Sequence, residues 1–216
     1  KLNTSATRLL VMSFMIALVG IMGGTGVFAA SNTQTINSAV TAFQTISTLR
    51  REFPIDGEAI AATYAGDLQA LVQEIDETNG LELNNDLQTA INDIKNDSEP
   101  VLAAQVIDKT LQRVFYQIIW NRISAIRDEF ETATSAALTP MLDEAQASFE
   151  AIKGTVAREN QVLTADRQAI EAGSNPGLDT QINEYFSRVR TALKKSNPAE
   201  DFSVVQVERY RIRISL

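Results

Sequence analysis

The chain contains no cysteine and no histidine. Without cysteine there is no disulfide, no zinc-thiolate site, no thiol nucleophile and no covalently attached haem. Without histidine the commonest metal ligand, the usual general base and the Ser-His-Asp arrangement are missing as well. Glycine and proline are sparse, at 10 and 5 of 216 residues, and aromatics make up 6%. That poverty argues against a β-sandwich and for helix. Basic residues are few too: 19 against 27 acidic ones, a net charge of −8. A nucleic-acid partner is therefore not expected, because binding phosphates needs a basic footprint. No cofactor is expected, and the missing side chains argue against an enzyme.

What is present begins with an apolar run. No charged residue occurs from Leu9 to Ala30, while Lys1 and Arg8 precede it and the next basic residue is Arg50. A positive flank stays in the cytoplasm, so the remainder is expected to face outward, in the periplasm or at the cell surface. Two readings of residues 1–30 stand side by side. As a signal peptide the segment has a basic start, an apolar core broken at Gly23-Gly24, and Val27-Phe28-Ala29 as a small-residue cleavage site. As a membrane anchor it just reaches the roughly 20 apolar residues a span requires. Gly20, Gly23, Gly24 and Gly26 match no phosphate-binding loop and would suit close helix approach in a membrane.

Residues 31–216 read as one antiparallel multi-helix bundle, making the whole chain all-α. Ile36, Val40, Phe43, Ile46 and Phe53 share a face of a helix over about 32–52, which Phe53-Pro54 should end. Asp56 can cap a second helix whose stripe, Ile60, Tyr64, Leu68, Leu71 and Ile75, runs unbroken to Asn79-Gly80. A short third helix over about 83–96 carries Leu83, Leu87, Ile91 and Ile94. Asp97-Ser98-Glu99-Pro100 predicts a new start with a capping side chain. The helix beyond it has two stripes, Ile107, Leu111, Val114, Ile118 and Ile119, Ile123, Ile126, Phe130, widened by Phe115 and Trp120. Apolar surface on so much of its circumference predicts a central helix.

Thr139-Pro140 is expected to kink or restart the chain. Past it, Leu138, Leu142, Ala145, Phe149, Ile152 and Val156 alternate by four and three, the seam of near-parallel helix pairs, which Leu163 and Ile170 extend. A turn is predicted at Gly173-Ser174-Asn175-Pro176-Gly177, then a helix over about 178–195 on Leu178, Ile182, Phe186, Val189 and Leu193. Asn197-Pro198-Ala199-Glu200 opens a last helix, although Tyr210 to Leu216 alternates like a strand. A lone strand would have no partner, so helix is expected. Its end, on Ile212, Ile214 and Leu216, is apolar and uncapped. Either residues 203–216 dock into the bundle or a partner, or the natural chain continues.

Candidate sites are few. Asp67, Glu74, Asp128, Glu129, Asp143 and Glu144 could hold a hard cation, but their period places them on solvated helix faces. Arg50-Arg51 and Lys194-Lys195 suit helix ends, where cations complement the dipole. Tyr64, Tyr116 and Tyr185 are expected in or at the edge of the core. Trp120, beside Asn121 and Arg122, is the best candidate for a docking surface, because aromatics and arginine are enriched in recognition sites. Ile212, Ile214 and Leu216 are its companions as partner-binding residues.

The expected function is a non-catalytic extracytoplasmic helical subunit that binds other protein subunits, integral membrane proteins among them, in a membrane-associated complex or assembly. An alternative is a sensory or ligand-binding bundle. Lys1-Leu2-Asn3, Arg8-Leu9-Leu10 and Phe14, leading into an apolar run and long helices, resemble the opening of bacterial chemoreceptors. The resemblance ends near residue 30, and it would imply a second span and a signalling coiled coil that do not occur before Leu216. A third alternative is an imelysin-like periplasmic domain of iron uptake. Its His-x-x-Glu pair cannot exist here, so an iron role would fall to carboxylates alone.

Overall fold

A computed structural model describes residues 33–167 and 177–216, with side chains from residue 34 to residue 157 and from 177 onward. Both readings of the apolar segment, the turn at 173–176 and the contributions of Leu163 and Ile170 lie outside the described residues or side chains. Among the described residues there are eight helices and no strand. They are α1 (Thr33–Leu49), α2 (Gly57–Tyr64), α3 (Asp67–Asn79), α4 (Leu83–Lys95), α5 (Pro100–Glu129), α6 (Ser135–Arg167), α7 (Leu178–Ala192) and α8 (Pro198–Ser215). None of them is long and apolar enough to cross a membrane.

The 30-residue α5 is the axis of the bundle, packed against α1, α3, α4, α6 and α8. All nine aliphatic and phenyl residues of its expected apolar surface are at most 1% exposed. Short connections make α4, α5 and α6 run alternately up and down, and α7 and α8 form a second hairpin on the α5–α6 pair. The phenyl rings of Phe43 and Phe115, Phe149 and Phe186, and Phe130 and Phe202 tie the layers at centroid distances of 5.2, 5.8 and 5.8 Å. The expected seam on α6 is buried throughout, from Leu138 to Val156.

Several boundaries differ from the sequence expectation. The first helix ends at Leu49, so Phe53 leaves the helical period and stands 94% exposed rather than joining the core. The unbroken stripe from Ile60 to Ile75 is two helices, split at Gly66, whose φ of +100° and ψ of −133° only glycine adopts without strain. The stripe survives the break because both helices turn the same residues inward. Pro140 does not restart the chain. The helix begins five residues earlier at Ser135, where the Thr134 hydroxyl accepts from the Ala137 amide, and proline this close to a start forfeits a single backbone bond.

Asp56 caps α2 through the Ala59 amide (2.9 Å), and Gly80 ends α3 in the left-handed conformation. At α5, by contrast, Pro100 sits in the first turn without a capping side chain, and Asp97 and Glu99 before it take positive φ. The C-terminal segment is helical to Ser215. Asn197 does not cap it; the Asp201 and Glu200 carboxylates reach back to the Asn197 amide and side chain, both at 2.8 Å.

Candidate functional site

Arg122 shows what burial does to a candidate recognition residue. It is 4% exposed, its Nε donates to Glu144 Oε2 at 2.6 Å, and its Nη2 lies 3.5 Å from Glu74 Oε1. Glu144 itself is 1% exposed, which corrects its expected place on a solvated face: α6 turns Glu144 inward, where Arg122 of α5 neutralises it. Burial pushes the Glu144 carboxyl up, Arg122 draws it back, and the net direction is upward. Arg122 is thus spent inside the bundle rather than offered to a partner. The other acids also form no binding cluster. Asp143 pairs with Arg190 (2.6 Å), Asp128 with Arg127 (2.6 Å), and Asp67 stands in the first turn of α3. Among the described residues no group of three or more acids is placed to hold a metal ion.

The basic pairs divide as helix-end cations do, with one surprise. Lys195 reaches past its own helix, donating to the Phe130 and Ala133 carbonyls at the end of α5 and lying 4.8 Å from the Phe130 ring centroid. It complements the α5 dipole from the α7–α8 connection. Arg50 pairs with Asp108 (2.8 Å), itself held by Gln112 (3.0 Å), at the edge of an open cleft of about 750 Å³ between α1, α5 and α6. Tyr64 is a core residue whose hydroxyl donates to Asn84 Oδ1 at 2.9 Å, and burial, reinforced by Asp76, pushes its pKa upward.

Trp120 stays partly at the surface. Two arginines from successive turns of α8 lie over its ring, Arg209 with Cζ 4.6 Å and Arg213 with Cζ 4.4 Å from the centroid. Each such cation–π contact contributes about 0.5–1 kcal/mol at an exposed site. Arg209 also lies 5.0 Å from the Tyr210 ring, and Arg211 donates to the buried Glu208 at 2.8 Å. The outer side of α8 leaves Val207 46%, Tyr210 49% and Ile214 81% exposed. Ile212, two residues before Ile214, is instead 1% exposed, and Leu216 packs at the edge of the core.

Of the five candidate docking residues, then, Arg122 and Ile212 face inward, Trp120 and Leu216 lie at the boundary, and Ile214 projects outward. Arg209, Arg213 and Tyr210 were not singled out from the sequence. The signal was available as arginines four apart on a helix that also has tyrosine between them. Its partner Trp120 lies about ninety positions away, and only packing joins the two. The result is a basic and aromatic surface on a chain whose net charge is −8. No protein-family model matches this chain, and no curated protein and no solved structure matches it either.

Proposed function

We propose that the protein is a non-catalytic, extracytoplasmic helical subunit of a membrane-associated complex, and that it docks a partner protein through the outer face of α8. One observation carries this reading. Arg209 and Arg213 are held on Trp120 beside exposed Tyr210 and Ile214, the arginine, aromatic and aliphatic mixture from which protein-binding hot spots are made. Fixing the arginines on the indole also lowers the entropy a partner must remove. The uncharged stretch 9–30 behind Lys1 and Arg8 supports the membrane association and the outward orientation of the bundle.

The test recovers the protein from native membranes as wild type and as Tyr210→Glu/Ile214→Glu. A stoichiometric companion that leaves with the variant, while its helical signal and melting temperature hold, supports the reading. Equal recovery of the companion overturns the α8 surface. A tag after Leu216 should be degraded by protease added to intact spheroplasts, and full protection would overturn the orientation.

A second reading, a ligand-binding or sensory bundle, is favoured by the cleft between α1, α5 and α6, where Arg50, Arg51, Lys109 and Gln112 gather. A small anionic molecule is the chemistry such a cleft suits. Thermal shift with a panel of small carboxylates, compared between wild type and Arg51→Ala/Lys109→Ala, separates it from the first.

A further inference from the structure

The outer ridge of α8 has a counterpart on the same molecule. Where α4 and the start of α5 converge, a groove of about 420 Å³ is lined by apolar Leu102 and Val106 and by the acids Asp86, Asp93 and Glu99. Leu102 is 54% and Val106 38% exposed, so apolar surface lies open to water there. The ridge offers the opposite: Val207, Tyr210 and Ile214 flanked by Arg211 and Arg213.

From these two surfaces we infer that the groove of one copy receives the α8 ridge of a second copy. This rests on the docking role of α8 proposed above and names its occupant. The dimensions agree. Residues 207 to 214 on α8 cover seven helical steps and residues 100 to 106 on α5 cover six, about 10 and 9 Å at 1.5 Å per residue. Spacings of three and four along the ridge are those with which one helix enters the groove between two others. The charges are opposite in sign, acids lining the groove and guanidinium groups beside the ridge. Arg211 donates to Glu208 through one of its five N–H groups, and Arg213 lies over the Trp120 ring by its guanidinium group, so both have donors to direct at a carboxylate.

Two consequences follow from the geometry. Ridge and groove are different patches, so the contact is heterologous, head to tail, and each copy keeps one open ridge and one open groove. Growth then continues until a ring closes or a filament forms. The bulk of each copy is acidic, so copies repel except through this pair of surfaces, and the association weakens when salt screens it.

The experiment uses the full chain in detergent, with particle mass followed by light scattering against concentration. Wild type is expected to grow with concentration beyond two copies. Tyr210→Glu/Ile214→Glu, which spoils the ridge, and Asp93→Lys/Leu102→Lys, which spoils the groove, should each remain single copies. An equimolar mixture of the two variants has one intact ridge and one intact groove, so it should reach two copies and stop. Wild type that stays a single copy, variants that still grow, or a mixture that fails to pair would each overturn the inference.

Should either variant fail to fold, a cysteine pair in an otherwise wild-type background decides the matter without a background thiol. Gln206→Cys and Thr89→Cys copies, mixed and treated with a short bis-maleimide, should give a mixed product well above either self-product. Equal self-products would overturn the head-to-tail contact. A single-copy wild type whose companion in native membranes is still lost with the ridge variant removes this inference and leaves the docking role standing. A ridge variant without effect in either assay removes both.

Discussion

Arg122 and Glu144 form an ion pair that neither residue could leave without cost. Removing one partner of a buried pair strands the other charge, typically at about 3–5 kcal/mol, whereas replacing both with apolar groups is often neutral. Arg122→Met is therefore expected to destabilise the bundle by about that much in urea denaturation, and Arg122→Met/Glu144→Leu to recover most of it. The pH dependence has a defined sign. The Glu144 carboxyl is raised above its ordinary value of 4.5, chiefly by burial, so the folded state keeps this proton longer than the unfolded chain does. Its contribution is most favourable below the ordinary value and is lost as pH rises through the raised one. Glu144→Gln should accordingly gain stability relative to wild type as pH climbs through the mildly acid range. A relative loss would mean that Arg122, rather than burial, dominates the site.

At the scale of elements, the break between α2 and α3 and the seam on α6 make separate tests. A Cβ on Gly66 would meet nothing within 4 Å, so any penalty there is backbone strain alone. Gly66→Ala is expected to cost about 1–3 kcal/mol by chemical denaturation, the usual range for a residue forced into a sparsely populated conformation. If α2 and α3 were one continuous helix, the same change would instead stabilise, since alanine is the better helix former. On α6, Ile152 is 6% exposed whereas Glu150 faces solvent and pairs with Lys153 at 3.4 Å. Ile152→Asp buries an unpaired charge and should cost about 3–5 kcal/mol, while Glu150→Lys should stay within about 0.5 kcal/mol. Equal melting of the two would contradict the seam.

For the molecule as a whole, α8 is both a wall of the bundle and the carrier of an exposed outer face. Val205, Glu208 and Ile212 face inward, and Arg209 and Arg213 clasp Trp120 of the central helix. Deleting residues 210–216 removes the burial of Ile212 and one of the two arginines. A loss of about 2–5 kcal/mol is the usual result of deleting a large buried aliphatic side chain. At this chain length about 1 kcal/mol moves the melting temperature by roughly 2–4 °C, so the truncation should melt visibly earlier. Unchanged melting and unchanged association would mark the segment as an unconstrained tail.

Helix content, the central position of α5 and the α6 seam were legible because each depends on a local period. Apolar residues recurring every three or four positions bury one face whatever lies opposite. Helix ends were legible where one residue suffices, as with Asp56 and Gly80. What required the tertiary structure was every property set by a second chain segment. Glu144 reads as a surface acid until α5 brings Arg122 to it, and Lys195 reads as a cap for its own helix until α5 ends beside it. Trp120 becomes a basic surface only when α8 lays two arginines on its ring. Periodicity says which face turns inward, but charge pairing and recognition depend on which residues meet across a gap, and that is decided by how the helices pack.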